Sequence, residues 1–226
     1  MRRTLFLLIV GLGGAAILIS LGVWQIQRLA WKEAIIADIN TRIAADPVAL
    51  PEEPNPDADA YLPVRATGTY GEDEIHVLVS QKEIGAGYRI IAPFTLEDGR
   101  RIMLDRGFVV SEAKDRARDQ GAATVQGNLQ WPQETDSFTP APDLAGNIWF
   151  ARDVPAMADA LHADSILLVA RASDPAADGI SPLPVDTARI PNDHLQYAIT
   201  WFSLAAIWLG MSLFFLRRRR APDSES

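Results

Sequence analysis

Two uninterrupted apolar runs bracket the chain. Leu5 to Trp24 runs twenty residues without a charge, and Leu195 to Leu216 runs twenty-two. At about 1.5 Å per residue, helices of these lengths reach roughly 30 and 33 Å, the thickness of a bilayer's hydrocarbon core of about 30 Å. Transmembrane helices are therefore expected at 5–24 and 195–216. A cleaved signal peptide shares the basic start of the first run. Its apolar region is shorter, at about 7 to 15 residues, and no small-x-small site precedes the polar Gln25, so the run is read as a retained helix. Small residues along it, Gly11, Gly14, Ala15, Ala16 and Gly22, would let a second backbone approach closely or are the ordinary glycine content of a membrane helix.

Between the runs the period changes twice. Ile26, Leu29, Ala30, Ile35, Ile36, Ile39 and Ile43 recur near helical spacing, which predicts a helical stem over 25–46 that ends before Pro47. The stretch 47–63, rich in proline and acid, reads as an extended connector. From Leu62 onward β-branched and aromatic residues fall between turn signals. They predict strands at Leu62 to Tyr70, Glu74 to Gln81, Tyr88 to Leu96, Arg100 to Val110 and Thr124 to Leu129. Asp98-Gly99 should turn one hairpin. A short helix is expected from about Val154 to His162, with Asp153 as cap and Pro155 in the first turn, then a last strand at Ile166 to Ala172. Adjacent strands with short loops predict an antiparallel sheet or small barrel over 62–172. The fold class is thus a membrane protein of α+β type, two transmembrane helices flanking a β-rich outer domain.

Charge orients this arrangement. Arg2 and Arg3 precede the first run and Arg217 to Arg220 follow the second, so the positive-inside rule places the N-terminus (1–4) and the tail (217–226) in the cytoplasm. Residues 25–194 then face outward, into a periplasm or an intermembrane space. The whole chain has 21 basic and 29 acidic residues; without those six arginines, Asp223 and Glu225, the middle holds 15 and 27. An acidic middle excludes nucleic acid as a partner. The stretch Ala221 to Ser226 is expected to be disordered.

Candidate chemistry is sparse. The chain has no cysteine, and its three histidines, His76, His162 and His194, show no metal-ligand spacing, so a zinc or copper site made by protein alone is not expected. Gly85-x-Gly87 lacks the third glycine and the helix of a dinucleotide site. No nucleophile elbow, phosphate loop or locatable acid–base pair appears, and the protein is not expected to be an enzyme. His76 and His162 read as surface or packing residues, and Asp105-Arg106-Gly107 as a structural turn beside a strand in preference to a functional loop. Cytoplasmic parts of about four and ten residues are too short for the output domain of a receptor, and two helices are too few for a transporter built of paired repeats.

His194 differs because of its place at the outer boundary of the second run. If that helix begins near Pro191, His194, Tyr197 and Trp201 lie at i, i+3 and i+7 on one face. At the same level the first helix offers Trp24, Arg28 and Trp31, at i, i+4 and i+7. An imidazole for iron, aromatic walls and a cation for propionates are what a bis-acid porphyrin requires. The same residues also read as an interfacial aromatic belt with a capping histidine.

Four segments carry a family resemblance: LGVWQIQRLAWK at Leu21 to Lys32, GYRIIAPFTLEDGRRIMLDRGFV at Gly87 to Val109, NIWFARD at Asn147 to Asp153, and PNDHLQYAITWFSLA at Pro191 to Ala205. In content and order the chain resembles the surfeit-locus-1 family of cytochrome c oxidase assembly factors. Phe108 departs from the family, which more often has tryptophan after the RG pair. The resemblance implies two membrane helices around an outer β-rich domain, here in a bacterial inner membrane. It implies a non-enzymatic role: binding heme a, received from heme a synthase, and aiding its insertion into subunit I of a terminal oxidase. The position of the family's suspected heme ligand matches His194, with Trp201 in the same motif. Tyr197, Trp24, Trp31 and Arg28 complete the expected site, Arg28 being assigned to the propionates by chemistry rather than by the family. The alternative function is a scaffold that stabilises an oxidase intermediate without touching heme. Which oxidase is served, and whether the chain forms a homo-oligomer, stay open.

Overall fold

The computed structural model describes residues 2–81, 85–188 and 190–218. Arg219 and Arg220 of the terminal basic cluster, and the tail 221–226 expected to be disordered, lie outside the described residues. The chain divides into two compact units, one drawn from Met1–Asp38 and Ala188–Ser226, the other from Ile39–Thr187.

The first unit contains most of helix α1 (Arg2–Ala44) and all of helix α3 (His194–Arg218). Both are long and apolar enough to cross a membrane. α1 has 43 residues, about 65 Å at helical rise, so the apolar run and the predicted stem are one unbroken helix. It ends at Ala44, before Pro47, because proline restricts the backbone that precedes it. Contacts between the two helices run in opposite order along the chain. A Cβ at Gly11 would meet Ser212, one at Gly14 Trp208, and one at Gly22 Phe202, so α1 and α3 are antiparallel. Among the shielded residues are Gly11, Ala15, Leu18, Gly22 and Gln25 on α1 and His194, Ala198, Trp201, Ala205 and Ser212 on α3. Steps of four and three along α1, and of four, three, four and then seven along α3, mark these as the seam of a left-handed pair. Trp208 closes it by donating from Nε1 to the Gly11 carbonyl at 3.0 Å.

The second unit is β-rich. Its strands are β1 (Val48–Ala49), β2 (Pro63–Tyr70), β3 (Ile75–Gln81), β4 (Gly85–Leu96), β5 (Arg101–Val110), β6 (Ala122–Leu129) and β7 (Leu167–Asp174), with helix α2 (Val154–Leu161) before β7. The sheet order is β1-β2-β6-β7-β5-β4-β3, and β2 also pairs with β4. That extra pairing closes β2, β6, β7, β5 and β4 into a five-stranded barrel, leaving β1 and β3 as outer strands. Six predicted strands and the helix lie within a few residues of their expected bounds. The closure is mostly antiparallel, but β7 runs parallel to β5 and β1 parallel to β2, and β1 falls inside the predicted connector. A two-residue strand carries no period, so only its pairing reveals it.

All five barrel strands supply the interior: Val64 and Ala66 of β2, Phe94 of β4, Ile102 and Leu104 of β5, Val125 and Leu129 of β6, and Leu168 of β7 are among its buried members. The opposite faces of β4, β5 and β7 give Ile91, Met103, Leu167 and Val169, which pack against Met157, Ala158 and Leu161 of α2 and against Trp149. β5 is buried on both faces, hence its nearly continuous apolar reading. α2 is capped as predicted: the Asp153 carboxylate accepts from the Ala156 amide at 3.2 Å. His162 ends it in the left-handed conformation, with φ of 51°.

Candidate functional site

His194 is the first residue of α3. Tyr197's amide donates to the Asp193 carbonyl at 3.1 Å, which opens the helix one residue earlier. The imidazole is half-buried, and its Nδ1 lies 2.7 Å from Oε1 of Gln25, a residue of α1 that is only 8% exposed. With the amide oxygen accepting, Nδ1 is the donor, and in the neutral ring the lone pair then falls on Nε2. This is the arrangement in which histidine ligates a metal through Nε2, because the bond at one ring nitrogen decides which tautomer the other presents. Two residues upstream, the buried Oδ1 of Asn192 has no hydrogen-bond partner among the described residues.

The remaining expected residues divide between two faces. Trp201 lies on the helix seam with His194, partly shielded. Tyr197 is 55% exposed, and Trp24 and Trp31 are each 50% exposed, on faces turned away from the seam. The Arg28 guanidinium stacks over the Trp31 ring at 4.2 Å. His194 and Trp201 thus share one face and Arg28 and Trp31 another, and the imidazole's hydrogen-bond partner is Gln25. Gln25 was passed over in the sequence because it served there only as the polar end of an apolar run. The available signal was its place one heptad after Leu18 on the seam.

The outer unit accounts for the other motifs. Asp105 is wholly buried; Arg89 Nη1 donates to its Oδ2 at 2.5 Å and to the Leu183 carbonyl at 3.0 Å. Arg152 Nη1 stands 3.9 Å from the same carboxylate oxygen. Arg152 also reaches Glu134 with Nη2 at 2.5 Å and Gln130 with Nη1 at 2.8 Å. Burial pushes the Asp105 carboxyl above its ordinary value despite the two arginines. Burial would raise Glu134 as well, but the hydrogen bonds and charge of Arg152 together outweigh it, and Glu134 is held below its ordinary value. The second and third family-like segments therefore meet in a buried ion network, whose role is to fix barrel and loop. Asp105-Arg106-Gly107 is not a turn beside the strand but a bulge within β5: Ile91 pairs with Asp105 and Ile90 with Gly107, leaving Arg106 unpaired. Among the described residues no group of three or more His, Cys, Asp or Glu side chains could hold a metal ion.

Two long apolar helices joined through a closed β-barrel unit, with a tautomer-fixed histidine at the start of the second helix, define a class of membrane-associated barrel proteins. Residues 12–206 match the SURF1 family, and the chain belongs to that family. It is 32% identical over 212 residues to a SURF1-like protein of Drosophila melanogaster, an alignment covering 83% of this chain and 70% of that one. To a SURF1-like protein of Rickettsia conorii it is 28% identical over 217 residues, covering 92% and 90%. To Surfeit locus protein 1 of Mus musculus it is 29% identical over 212 residues, covering 83% and 68%.

Proposed function

We propose that this protein is an assembly factor for a heme–copper terminal oxidase, a binder of heme a that aids its insertion into subunit I. The reading joins the role implied by resemblance to cytochrome c oxidase assembly factors with one observation, the Gln25–His194 hydrogen bond. The buried amide satisfies the imidazole at Nδ1 and leaves Nε2 available, the arrangement that a metal ligand requires. Part of the expected set fits the group: His194 Nε2 can serve as the iron ligand, with Trp201 two turns along the same seam as an apolar wall. Arg28, stacked on Trp31 on another face, is not brought to His194 as a propionate partner, and Tyr197, Trp24 and Trp31 are exposed interfacial aromatics. When bound, heme a contributes an iron centre open to imidazole. The protein's own part is to fix the imidazole and shield it along the helix seam. Heme a synthase as donor, subunit I as acceptor, and a bacterial inner membrane with both termini cytoplasmic and the barrel periplasmic belong to the same proposal, which assigns no catalytic role.

The test is the absorption spectrum of detergent-purified protein from cells that make heme a. An imidazole-ligated heme spectrum is expected, and loss of it in His194→Ala. Full retention in that variant would remove His194 as ligand. Retained co-purification with oxidase but no heme in either protein would establish the scaffold instead.

A further inference from the structure

A polar hollow of about 430 Å³ opens in the β-rich unit, lined among others by His76, Glu74, Arg106 and Arg118. Two of its residues are nearly buried yet incompletely partnered. Arg106 is 6% exposed and its Nε has no hydrogen-bond partner among the described residues; His76 is 4% exposed and its Nδ1 has none either. Arg106 arrives there because it is the extra residue of the β5 bulge, a device that re-aims a side chain out of the strand's alternation. The bulge is held open by Gly107, whose φ is +124° and where a Cβ would collide with the Ser181 carbonyl.

The neighbouring charges are already committed. Glu74 Oε1 takes both His76 Nε2, at 2.6 Å, and Arg118 Nη1. Arg118 Nη2 also donates to the Ala113 and Lys114 carbonyls at 2.8 Å, and Asp115 is paired with Lys114 at 3.1 Å. Arg106 makes no ion pair among the described residues; its guanidinium stacks 4.0 Å from the Tyr70 ring. Burial draws its pKa down from the ordinary arginine value. The carboxylates whose charge reaches it, Glu74 and Asp119, hydrogen-bond to other groups; a guanidinium has five donors and no acceptor, and a planar or tetrahedral oxyanion satisfies donors left over. His76, whose Nε2 donates to Glu74, has only a lone pair to offer from Nδ1 of its neutral ring and helps to shape the wall without gripping the anion.

We infer that this hollow is a binding site for a small oxyanion, the carboxylate or phosphate group of a low-molecular-weight ligand, gripped by the Arg106 guanidinium. Glu72 and Asp73, exposed at the rim, repel an anion and set the affinity low. The site stands on residues other than His194 and does not depend on the heme reading.

Equilibrium dialysis of the detergent-purified full chain, against inorganic phosphate in one arm and acetate in the other, tests this. Saturable binding of one anion per chain is expected, and the arm that binds identifies the class. Arg106→Gln should weaken binding by about tenfold or more, the loss typical of a charged hydrogen-bond donor, and His76→Gln should weaken it less. His194→Ala should leave it unchanged. Absence of saturable binding of either anion to the unaltered chain overturns the inference whatever the variants do. So does wild-type affinity in an Arg106→Gln protein whose circular dichroism shows it folded.

Discussion

Gln25 and Asp105 are both buried polar side chains, and they carry opposite expectations. Gln25→Leu keeps the volume of the helix seam but leaves His194 Nδ1 without its acceptor. Heme affinity is expected to fall about 10- to 100-fold, the usual cost of removing a group that orients a metal ligand, with helix content unchanged; a spectrophotometric heme titration reads it. Asp105→Ala strands the buried Arg89 and should cost about 3–5 kcal/mol of barrel stability, measured by denaturant unfolding. Glu134 gives a pH expectation. Its carboxyl is held below its unfolded value by Arg152, so its contribution is fully present above the unfolded carboxylate pKa and is lost as pH falls through the folded one. In Glu134→Gln the decline in stability on acidification should be shallower than in the unaltered chain. An equally steep decline would show that Arg152 does not hold Glu134 in the folded state.

At the scale of elements, the helix seam depends on what is missing from side chains. A Cβ on Gly14 would lie 2.5 Å from Nε1 of Trp208, and one on Gly22 would lie 2.7 Å from the Phe202 ring. Rigid aromatic groups cannot give way as a flexible chain end would. Gly14→Leu is therefore expected to part α1 from α3 and to break the bond from Trp208 to the Gly11 carbonyl, at about 1–3 kcal/mol for an overpacked contact. A shift in the Trp208 fluorescence maximum, in a chain whose other tryptophans are replaced, would report it. The glycine pattern and the two tryptophans at 201 and 208 were visible in the sequence. That they belong to one seam was not, because a membrane helix is apolar on every side and periodicity alone cannot mark its packed face.

For the whole molecule the orientation in the membrane can be read cleanly, because the chain has no cysteine and any introduced one is unique. Glu97→Cys lies in the exposed hairpin turn of the barrel and Thr4→Cys near the start of α1. A membrane-impermeant maleimide applied to intact spheroplasts is expected to label the first and to reach the second only after lysis. The opposite pattern would invert the proposed topology. The asymmetry of arginines at the two ends is the physical reason for the expectation, since basic flanks resist translocation.

Hydrophobic run length and strand alternation determined the element plan by themselves: two long apolar helices, a β-rich middle and a capped short helix all follow from local rules that depend on neighbours in sequence. Barrel closure did not, because the β2–β4 pairing and the parallel β5–β7 pairing join residues far apart in the chain, whose choice of partner is settled by packing both faces of β5. The site divides in the same way. His194 stood out by its position at the end of an apolar run, while its Gln25 partner, the outward face of Arg28 and the bulge that turns Arg106 into a polar hollow each depend on one backbone meeting another. A single side chain's contacts are fixed only once the helices have docked and the barrel has closed.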